Sequence, residues 1–148
     1  MAAKQQARKK RKSGIPTGNA GEYFVMGELL KRGYDAQLAD RNTTAYDILV
    51  GRSEDKALKK IQVKSVRTQP WYVSQSSFAA DMADQVTVYV LLGKENGLNA
   101  VRYFIVKNKA VAKQISVPKD WPGNGFMPLK AIEGYENQWE SVLTSGDQ

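Results

Sequence analysis

Residues 45–66 read AYDILVGRSEDKALKKIQVKSV, two apolar stretches joined by a polar segment. The stretches at residues 45–50 and 58–66 are rich in aliphatic and β-branched residues, which favours strands. The segment at residues 51–56 consists of polar and turn-forming residues. The sequence therefore predicts an antiparallel hairpin, and the rest of the fold is built outward from it.

Three polar residues interrupt the apolar pattern of these strands. Asp47 lies in a stretch that otherwise favours burial, although aspartate is depleted in strands. Gln62 and Lys64 alternate with aliphatic residues, so the amide and the ammonium share one face. If the strands pair, Asp47 lies beside that face, an arrangement that suits a metal ion and a phosphate. The alternative for Asp47 is a structural role, in which its side chain forms hydrogen bonds at the edge of the sheet. The alternative for Lys64 is that of an edge-strand lysine, whose charge only prevents the strand from pairing with other chains.

A helix is predicted before the hairpin. Asn19 can cap it, residues 20–32 contain good helix formers, and Gly33 suits the position after its end. Glu22 shares a face with apolar residues of this helix, which would point it towards the sheet. The spacing from Asn19 to Glu22 also fits a capping box, in which the glutamate bonds back to the cap. Spacing alone leaves both interpretations of Glu22 open.

The rest of the chain alternates strands with less regular segments. Further strands are predicted at residues 34–38, 86–92 and 101–106, the last two joined by a glycine-bounded turn. The order of elements predicts an α+β fold with a mixed central sheet flanked by helices. The weaker predictions are a loop at residues 70–72, short helices at 77–84 and 110–115, a proline- and glycine-rich segment at 118–128, and an amphipathic helix spanning Ile132 to Leu143.

The amino-acid composition limits the classes of protein to which this chain can belong. A chain of 148 residues with 42% hydrophobic and 25% charged residues is typical of one globular domain. No apolar stretch is long enough to cross a bilayer, and the N-terminus lacks the apolar segment of a secretory signal. We therefore expect a cytoplasmic protein with no membrane partner. Without cysteine or histidine, catalysis must use carboxylates, lysine or a hard metal ion.

The positive charge is concentrated at the N-terminus. Residues 1–12 hold six basic residues and no acid, so they account for six of the +7 net charge. We predict a disordered basic arm over residues 1–16 and a folded domain over residues 17–148. The arm is either a solubilising end or a segment that binds phosphates. The phosphate-binding residues would be Lys9, Lys10, Arg11 and Lys12.

The order of these polar residues resembles the core of the PD-(D/E)XK nuclease superfamily. The matching residues lie within residues 18–106 and are Gly-Glu on the early helix, Tyr-Asp-Ile-Leu on the next strand and Ile-Gln-Val-Lys-Ser on the following one. The pattern is similar to that of Holliday-junction resolvases, and closer to that of cyanobacterial homing endonucleases, which share Gln-x-Lys. The resemblance implies a restriction-endonuclease-like fold for the domain at residues 17–148.

By that resemblance four residues form the catalytic site. Glu22 takes the place of the helix acid, Asp47 that of the strand acid, and Lys64 that of the catalytic lysine. Gln62 takes the position that is usually Asp or Glu. Glu22, Asp47 and Gln62 would bind Mg²⁺ or Mn²⁺, which prefer oxygen ligands. Tyr46 stands where the motif has proline, and Gln62 removes one negative charge from the metal site.

The function implied is that of an endonuclease that hydrolyses phosphodiester bonds in DNA with a metal ion. Whether it cuts branched DNA or a specific site, and whether it acts as a homodimer or higher homo-oligomer, stays open. The alternative, suggested by Gln62, is a catalytically inactive nuclease-fold protein that binds nucleic acid or a protein partner. A third interpretation, a purely structural domain, requires Asp47 and Lys64 on opposite faces of the sheet.

Basic, polar and aromatic residues surround the proposed site and would bind the DNA. They are Arg41, Asn42, Lys60, Arg67, Trp71 and Tyr72. The alternative is that the arginines are solvated and that the two aromatic residues cover an apolar edge. Trp121 and Trp139 are predicted to be core residues, Trp139 because it shares a helical stripe with other apolar residues.

Overall fold

The computed structural model describes residues 14–40, 46–51 and 58–144. Its helices are α1 Ile15–Lys31, α2 Asn108–Val111, α3 Leu129–Ile132 and α4 Trp139–Thr144. Its strands are β1 Asp35–Leu38, β2 Ile48–Gly51, β3 Lys59–Val66, β4 Trp71–Ser74, β5 Val86–Leu91, β6 Arg102–Lys107 and β7 Asn124–Met127.

Helix α1 begins earlier than the sequence predicts. Pro16 lies in its first turn, where the missing N–H group removes no helical hydrogen bond. Gly33 follows the helix with a φ of 87°, as predicted for the glycine after its end. Asn19 lies inside the helix, because the residue at the N-cap is Gly14. The prediction that Asn19 caps the helix, with Glu22 in a capping box, is therefore wrong.

Five strands form the central sheet in the order β1-β2-β3-β5-β6. Neighbouring strands are antiparallel except β3 and β5, which are parallel, so the sheet is mixed as predicted. The predicted pairing of β2 with β3 is confirmed, with Ile48 opposite Ile61. Most of the predicted turn between them, residues 52–56, lies outside the described residues. The hairpin of β5 and β6 is also confirmed, with Val88 opposite Ile105.

Two hydrophobic cores cover the two faces of this sheet. The first lies between the sheet and α1, whose Val25 is fully buried. Alternation along β3 places Ile61 and Val63 in this core. Gln62 and Lys64 therefore face the other way, towards the second core, as the alternating pattern predicts.

A separate two-stranded sheet, made by β4 and β7, packs on that second core. The predicted loop at residues 70–72 is wrong, because Trp71 begins strand β4. Its ring is fully buried and makes edge-on contacts with Tyr89 and Phe104. Its Nε1 donates a hydrogen bond of 3.1 Å to the backbone oxygen of Val90, which gives the buried indole a polar partner. Partners that lie far away in sequence therefore hold β4 in place.

The C-terminal segment is broken where the sequence predicts one amphipathic helix. A 3₁₀ turn at Glu133–Tyr135 follows α3, and Asn137 has a φ of 57° just before α4. Trp139 is buried, as predicted. The helical spacing of its apolar residues thus correctly indicated burial, although no continuous helix carries them.

The remaining helical segments are short. The predicted helix at residues 77–84 is replaced by 3₁₀ turns at Gln75–Phe78 and Ala80–Met82. The predicted helix at residues 110–115 overlaps α2 and a 3₁₀ turn at Ala112–Gln114. Across the described ranges, no helix has both the length and the apolar character needed to cross a bilayer.

Candidate functional site

Asp47 lies where three strands of the central sheet meet. Its backbone N–H donates to the oxygen of Ile61 at 2.8 Å, and its own oxygen accepts from the N–H of Ala39 at 2.8 Å. Its carboxylate is half-buried, and Oδ2 accepts a hydrogen bond of 2.7 Å from the backbone N–H of Val63. The sheet therefore fixes both the backbone and one carboxylate oxygen of Asp47. One interpretation of Asp47 is that its side chain only forms hydrogen bonds to the sheet. The structure shows such a bond, from the backbone N–H of Val63 on the neighbouring strand.

Gln62 is bound directly to Asp47. Its Nε2 donates a hydrogen bond of 2.9 Å to the same Oδ2 atom. The predicted proximity of the two side chains across the hairpin is thereby confirmed. In this arrangement the amide N–H faces the carboxylate, and a half-turn of the amide would bring its oxygen to that position. Within the described residues, Oδ1 of Asp47 makes no hydrogen bond, which leaves it available to a ligand.

Lys64 lies two residues beyond Gln62 on the same face of β3. It is half-buried, and it lines a small cavity together with Gln62, Thr87 and Tyr89. Burial raises the pKa of Tyr89, so its hydroxyl stays neutral at physiological pH. Asp47 and Lys64 are thus on one face, and the condition for a purely structural domain is not met.

Glu22 reaches the site from helix α1. It lines a cleft of about 270 Å³ at the edge of the sheet, together with Asp47, Tyr46 and Asp40. The structure therefore brings the helix acid and the strand acid to one cleft, as the resemblance implies. Asp40 is an additional carboxylate that the sequence interpretation missed, although its position two residues after the first predicted strand was a signal for it.

Gly21 allows α1 to lie close to the sheet. A Cβ atom at this position would overlap Oγ of Ser65 and lie 2.7 Å from its Cβ. Any side chain at residue 21 would thus push the helix away from β3. Because Glu22 is the next residue, the close approach at Gly21 also sets how near the Glu22 carboxylate comes to the hairpin. A glycine among the buried positions of a helical face was the sequence signal for this contact.

The oxygen atoms at the site are of the chemical type that a hard divalent cation such as Mg²⁺ binds. Two carboxylates and an amide supply the oxygen ligands that Mg²⁺ prefers, and the cation normally keeps several waters as further ligands. In residues 14–40, 46–51 and 58–144, however, no group of three or more acidic side chains is close enough to hold a metal ion. A cation bound here would therefore need Gln62 or water to complete its set of ligands.

Four of the predicted DNA contacts lie within the described residues. The ammonium of Lys60 lies 5.1 Å from the ring centre of Tyr46. Tyr46 lines the cleft that holds Glu22, Asp40 and Asp47, called the acidic cleft below. Arg67 lies beyond the other end of β3, where its NH1 donates to the oxygen of Gly93 at 3.4 Å. The prediction that Trp71 binds DNA needs correction, because its ring is fully buried in the second core and offers no face to a base.

Tyr72, the fourth predicted contact, is exposed, because alternation along β4 turns it away from the core that holds Trp71. The prediction that Trp121 is a core residue is wrong, since Trp121 is also exposed. Lys9, Lys10, Arg11, Lys12, Arg41 and Asn42 lie outside the described residues, so their roles stay predictions.

The solved structures that are similar to this chain include the following two. One is Hjc, a Holliday junction resolvase from Archaeoglobus fulgidus, with a TM-score of 0.51 at 18% identity over 88% of this chain and 98% of that chain. Another is a bacterial homing endonuclease, with a TM-score of 0.56 at 16% identity over 90% of this chain and 94% of that chain. No protein-family model and no curated protein matches the sequence. At these identities the likeness concerns the fold, which is restriction-endonuclease-like as predicted.

Proposed function

We propose that this chain, with its restriction-endonuclease-like fold, is a metal-dependent endonuclease that hydrolyses phosphodiester bonds in DNA. The observation that carries the proposal is the placement of Asp47, Gln62 and Lys64 on one face of the β2–β3 hairpin. Glu22 adds a second carboxylate to the cleft that Asp47 lines. Two of the proteins with a similar fold are named as a Holliday junction resolvase and a homing endonuclease, which supports DNA as the substrate.

Asp47, Gln62 and Glu22 would hold the cation. Asp47 offers Oδ1, and Gln62 offers its amide oxygen once the amide has made a half-turn. Glu22 would bind directly or through a water, as Mg²⁺ sites commonly do. When bound, the cation would supply positive charge next to the phosphate and lower the pKa of a neighbouring water.

Lys64 would act on the phosphate. It projects from the same face as Gln62, and its partial burial reduces the solvent screening of its charge. The ammonium would neutralise the charge that develops on the phosphate oxygens, and its N–H groups would orient the attacking water. Lys60, on the same face, would contact a neighbouring phosphate with no role in the chemistry.

One observation favours the alternative of an inactive nuclease-fold protein that binds nucleic acid. Gln62 provides a neutral amide where the superfamily motif has a carboxylate, and its N–H already bonds to Asp47. The hydrogen bond holds Asp47 in place without any cation. In such a protein the polar face of β3 would be a structural network, and its lysines would only contact phosphates.

The test is a cleavage assay on supercoiled, branched and single-stranded DNA, with Mg²⁺, with Mn²⁺ and with EDTA. We expect cleavage that requires the metal and falls by about 100-fold or more in Asp47→Asn, in line with the loss of one group that stabilises a transition state. Asparagine keeps an acceptor for the Val63 N–H, so the fold should be retained. A Lys64→Met variant should lose cleavage in the same way.

Matched controls come from the exposed residues Asp81 and Lys130, which lie outside both the acidic cleft and the polar face of β3. Asp81→Asn and Lys130→Met make the same changes of charge, and both should cleave like the unaltered protein. DNA binding without cleavage in either metal would support the inactive alternative. Full cleavage by Asp47→Asn would exclude this site.

A further inference from the structure

The small β4–β7 sheet carries an exposed pair of aromatic rings. Tyr72 is 68% exposed and Trp121 is 39% exposed, and their ring centres lie 6.3 Å apart at an angle of 25°. The two rings are thus close to parallel and both reach solvent. Phe126, opposite Tyr72 on β7, supports Trp121 with an edge-on contact at 6.2 Å. Exposed aromatic rings that contact one another, rather than lie singly, form a contiguous apolar patch that could serve as a binding site.

Hydrogen bonds hold the loop that carries Trp121. The backbone N–H of Gln75 donates to the oxygen of Gly123 at 2.9 Å. The side-chain amide of Gln75 donates to the oxygen of Asn124 at 3.0 Å and approaches that of Trp121 at 3.5 Å. The Trp121 N–H closes a turn onto the oxygen of Pro118 at 3.1 Å. These bonds hold the backbone at Trp121, and the contacts with Tyr72 and Phe126 position its ring. Positioning before any ligand binds lowers the entropy lost on binding.

The aromatic pair and Lys64 line one cleft. Its volume is about 570 Å³, within the range of sites for small ligands. The lining residues are Lys64, Tyr72, Val73, Ser74, Trp121, Pro122 and Asn124. None of these lining residues is acidic, and Lys64 is the cation among them. The cleft thus offers flat apolar rings beside a positive charge, which is the chemistry that recognises a nucleotide.

We propose that Tyr72 and Trp121 stack against an unpaired base of the nucleic acid whose phosphate lies at Lys64. In continuous duplex the faces of the bases are covered by their neighbours, so a stacking surface favours a strand with an unpaired base. The substrate class is therefore single-stranded DNA or DNA with an unpaired segment next to the cleavage site. The position of the cleaved bond rests on the proposed function, whereas the stacking itself does not.

Tryptophan fluorescence tests the stacking without any cleavage. Trp71 and Trp139 are buried, so quenching by an added oligonucleotide reports on Trp121. We expect a short oligothymidylate, added in EDTA, to quench this fluorescence. Because Trp121→Ala removes the reporter ring, the affinities of the variants are measured by the fluorescence anisotropy of a dye-labelled oligothymidylate. Tyr72→Ala and Trp121→Ala should each weaken its binding by about 5- to 150-fold, which corresponds to the roughly 1–3 kcal/mol typical of one stacked base.

Controls separate stacking from folding and from catalysis. Trp121→Phe keeps an aromatic ring and should retain most of the affinity. Leu98→Ala removes an exposed apolar side chain outside the cleft and should leave the affinity unchanged. Lys64→Met should abolish cleavage yet preserve the dependence of binding on Trp121. If cleavage is absent while that dependence persists, the proposed function fails and the stacking proposal stands.

Two outcomes would overturn the stacking proposal. The first is that correctly folded Tyr72→Ala and Trp121→Ala bind the oligothymidylate as tightly as the unaltered protein does. The second is that both substitutions weaken binding of a matched duplex by the same factor, because the site would then not distinguish unpaired bases. Either result could occur with cleavage intact.

Discussion

The β2–β3 hairpin and the β4–β7 pair are both antiparallel, but they are assembled from very different distances along the chain. In the hairpin, Ile48 pairs with Ile61, thirteen positions away. In the second pair, Trp71 lies opposite Met127, more than fifty positions away. The hairpin carries the acid, amide and lysine of the proposed active site, whereas the distant pair carries the aromatic rings. Lys64 belongs to the hairpin and also lines the cleft that holds the aromatic rings.

The difference shows how the two regions are held together. A nearby partner strand costs little loop entropy, so the hairpin can tolerate polar residues on one face. The β4–β7 pair must offset a larger entropy cost, and it does so with the fully buried Trp71 and Met127. Function in the first region therefore rests on hydrogen bonds, and in the second on a core that supports exposed rings.

The largest expected effect is a loss of stability, and it should differ between substitutions on the two faces of β4. Trp71→Ala should destabilise the protein by about 3–5 kcal/mol, because it removes a buried ring and leaves a cavity. Tyr72→Ala changes the next residue on the exposed face and should cost less than about 1 kcal/mol. Urea denaturation of both variants measures the two free energies of unfolding. Equal losses would mean that the core contacts of Trp71 do not hold the β4–β7 pair.

The second prediction concerns the contact between α1 and the hairpin. Gly21→Ala should destabilise the protein by about 1–3 kcal/mol, since the new methyl group overlaps the side chain of Ser65. It should also slow cleavage by displacing Glu22. The control is Gly27→Ala on the same helix, where the methyl group meets no atom within 4 Å. This control should stabilise the protein by up to about 1 kcal/mol, because alanine favours helix. A stable, fully active Gly21→Ala would contradict the close approach.

The third prediction tests the polar face of the hairpin. Gln62→Glu replaces the hydrogen bond to Asp47 with two neighbouring carboxylates, which repel each other until a cation binds between them. We expect the variant to bind Mg²⁺ about tenfold more tightly or better, and to be less stable than the unaltered protein when metal is absent. Calorimetric titration of both proteins measures the affinities. Equal affinities would show that residue 62 does not contact the cation.

The smallest effect on catalysis is expected from the basic arm, which belongs to neither region. Deleting residues 2–12 removes six positive charges, so the slope of log affinity against log salt should fall by up to about 5 for duplex DNA. Cleavage at saturating protein should be unchanged, because the proposed catalytic residues lie in the hairpin and α1. Binding measured at several salt concentrations gives the slope. An unchanged slope would mean that the arm does not bind the phosphates of DNA.

The sequence by itself determined the hairpin and the side of β3 on which its polar residues lie. Strand alternation is a local property of the backbone, so Gln62 and Lys64 had to share a face whatever surrounds them. Pairing over a short connection then placed Asp47 beside Gln62, and the observed hydrogen bond confirms this. The glycine after α1 was equally predictable, because a positive φ at a helix end is a local requirement.

Only the tertiary structure decided that Trp71 is buried while Trp121 is exposed. Trp71 and Trp121 are chemically identical, yet one is enclosed by Tyr89 and Phe104 and the other reaches solvent. The distinction depends on the pairing of β4 with β7, which joins segments too far apart for periodicity to relate them. The contact of Gly21 with Ser65 has the same origin. Local sequence patterns specify the secondary structure of a segment and which of its faces is apolar. Contacts between segments that are distant in sequence decide what packs against that face.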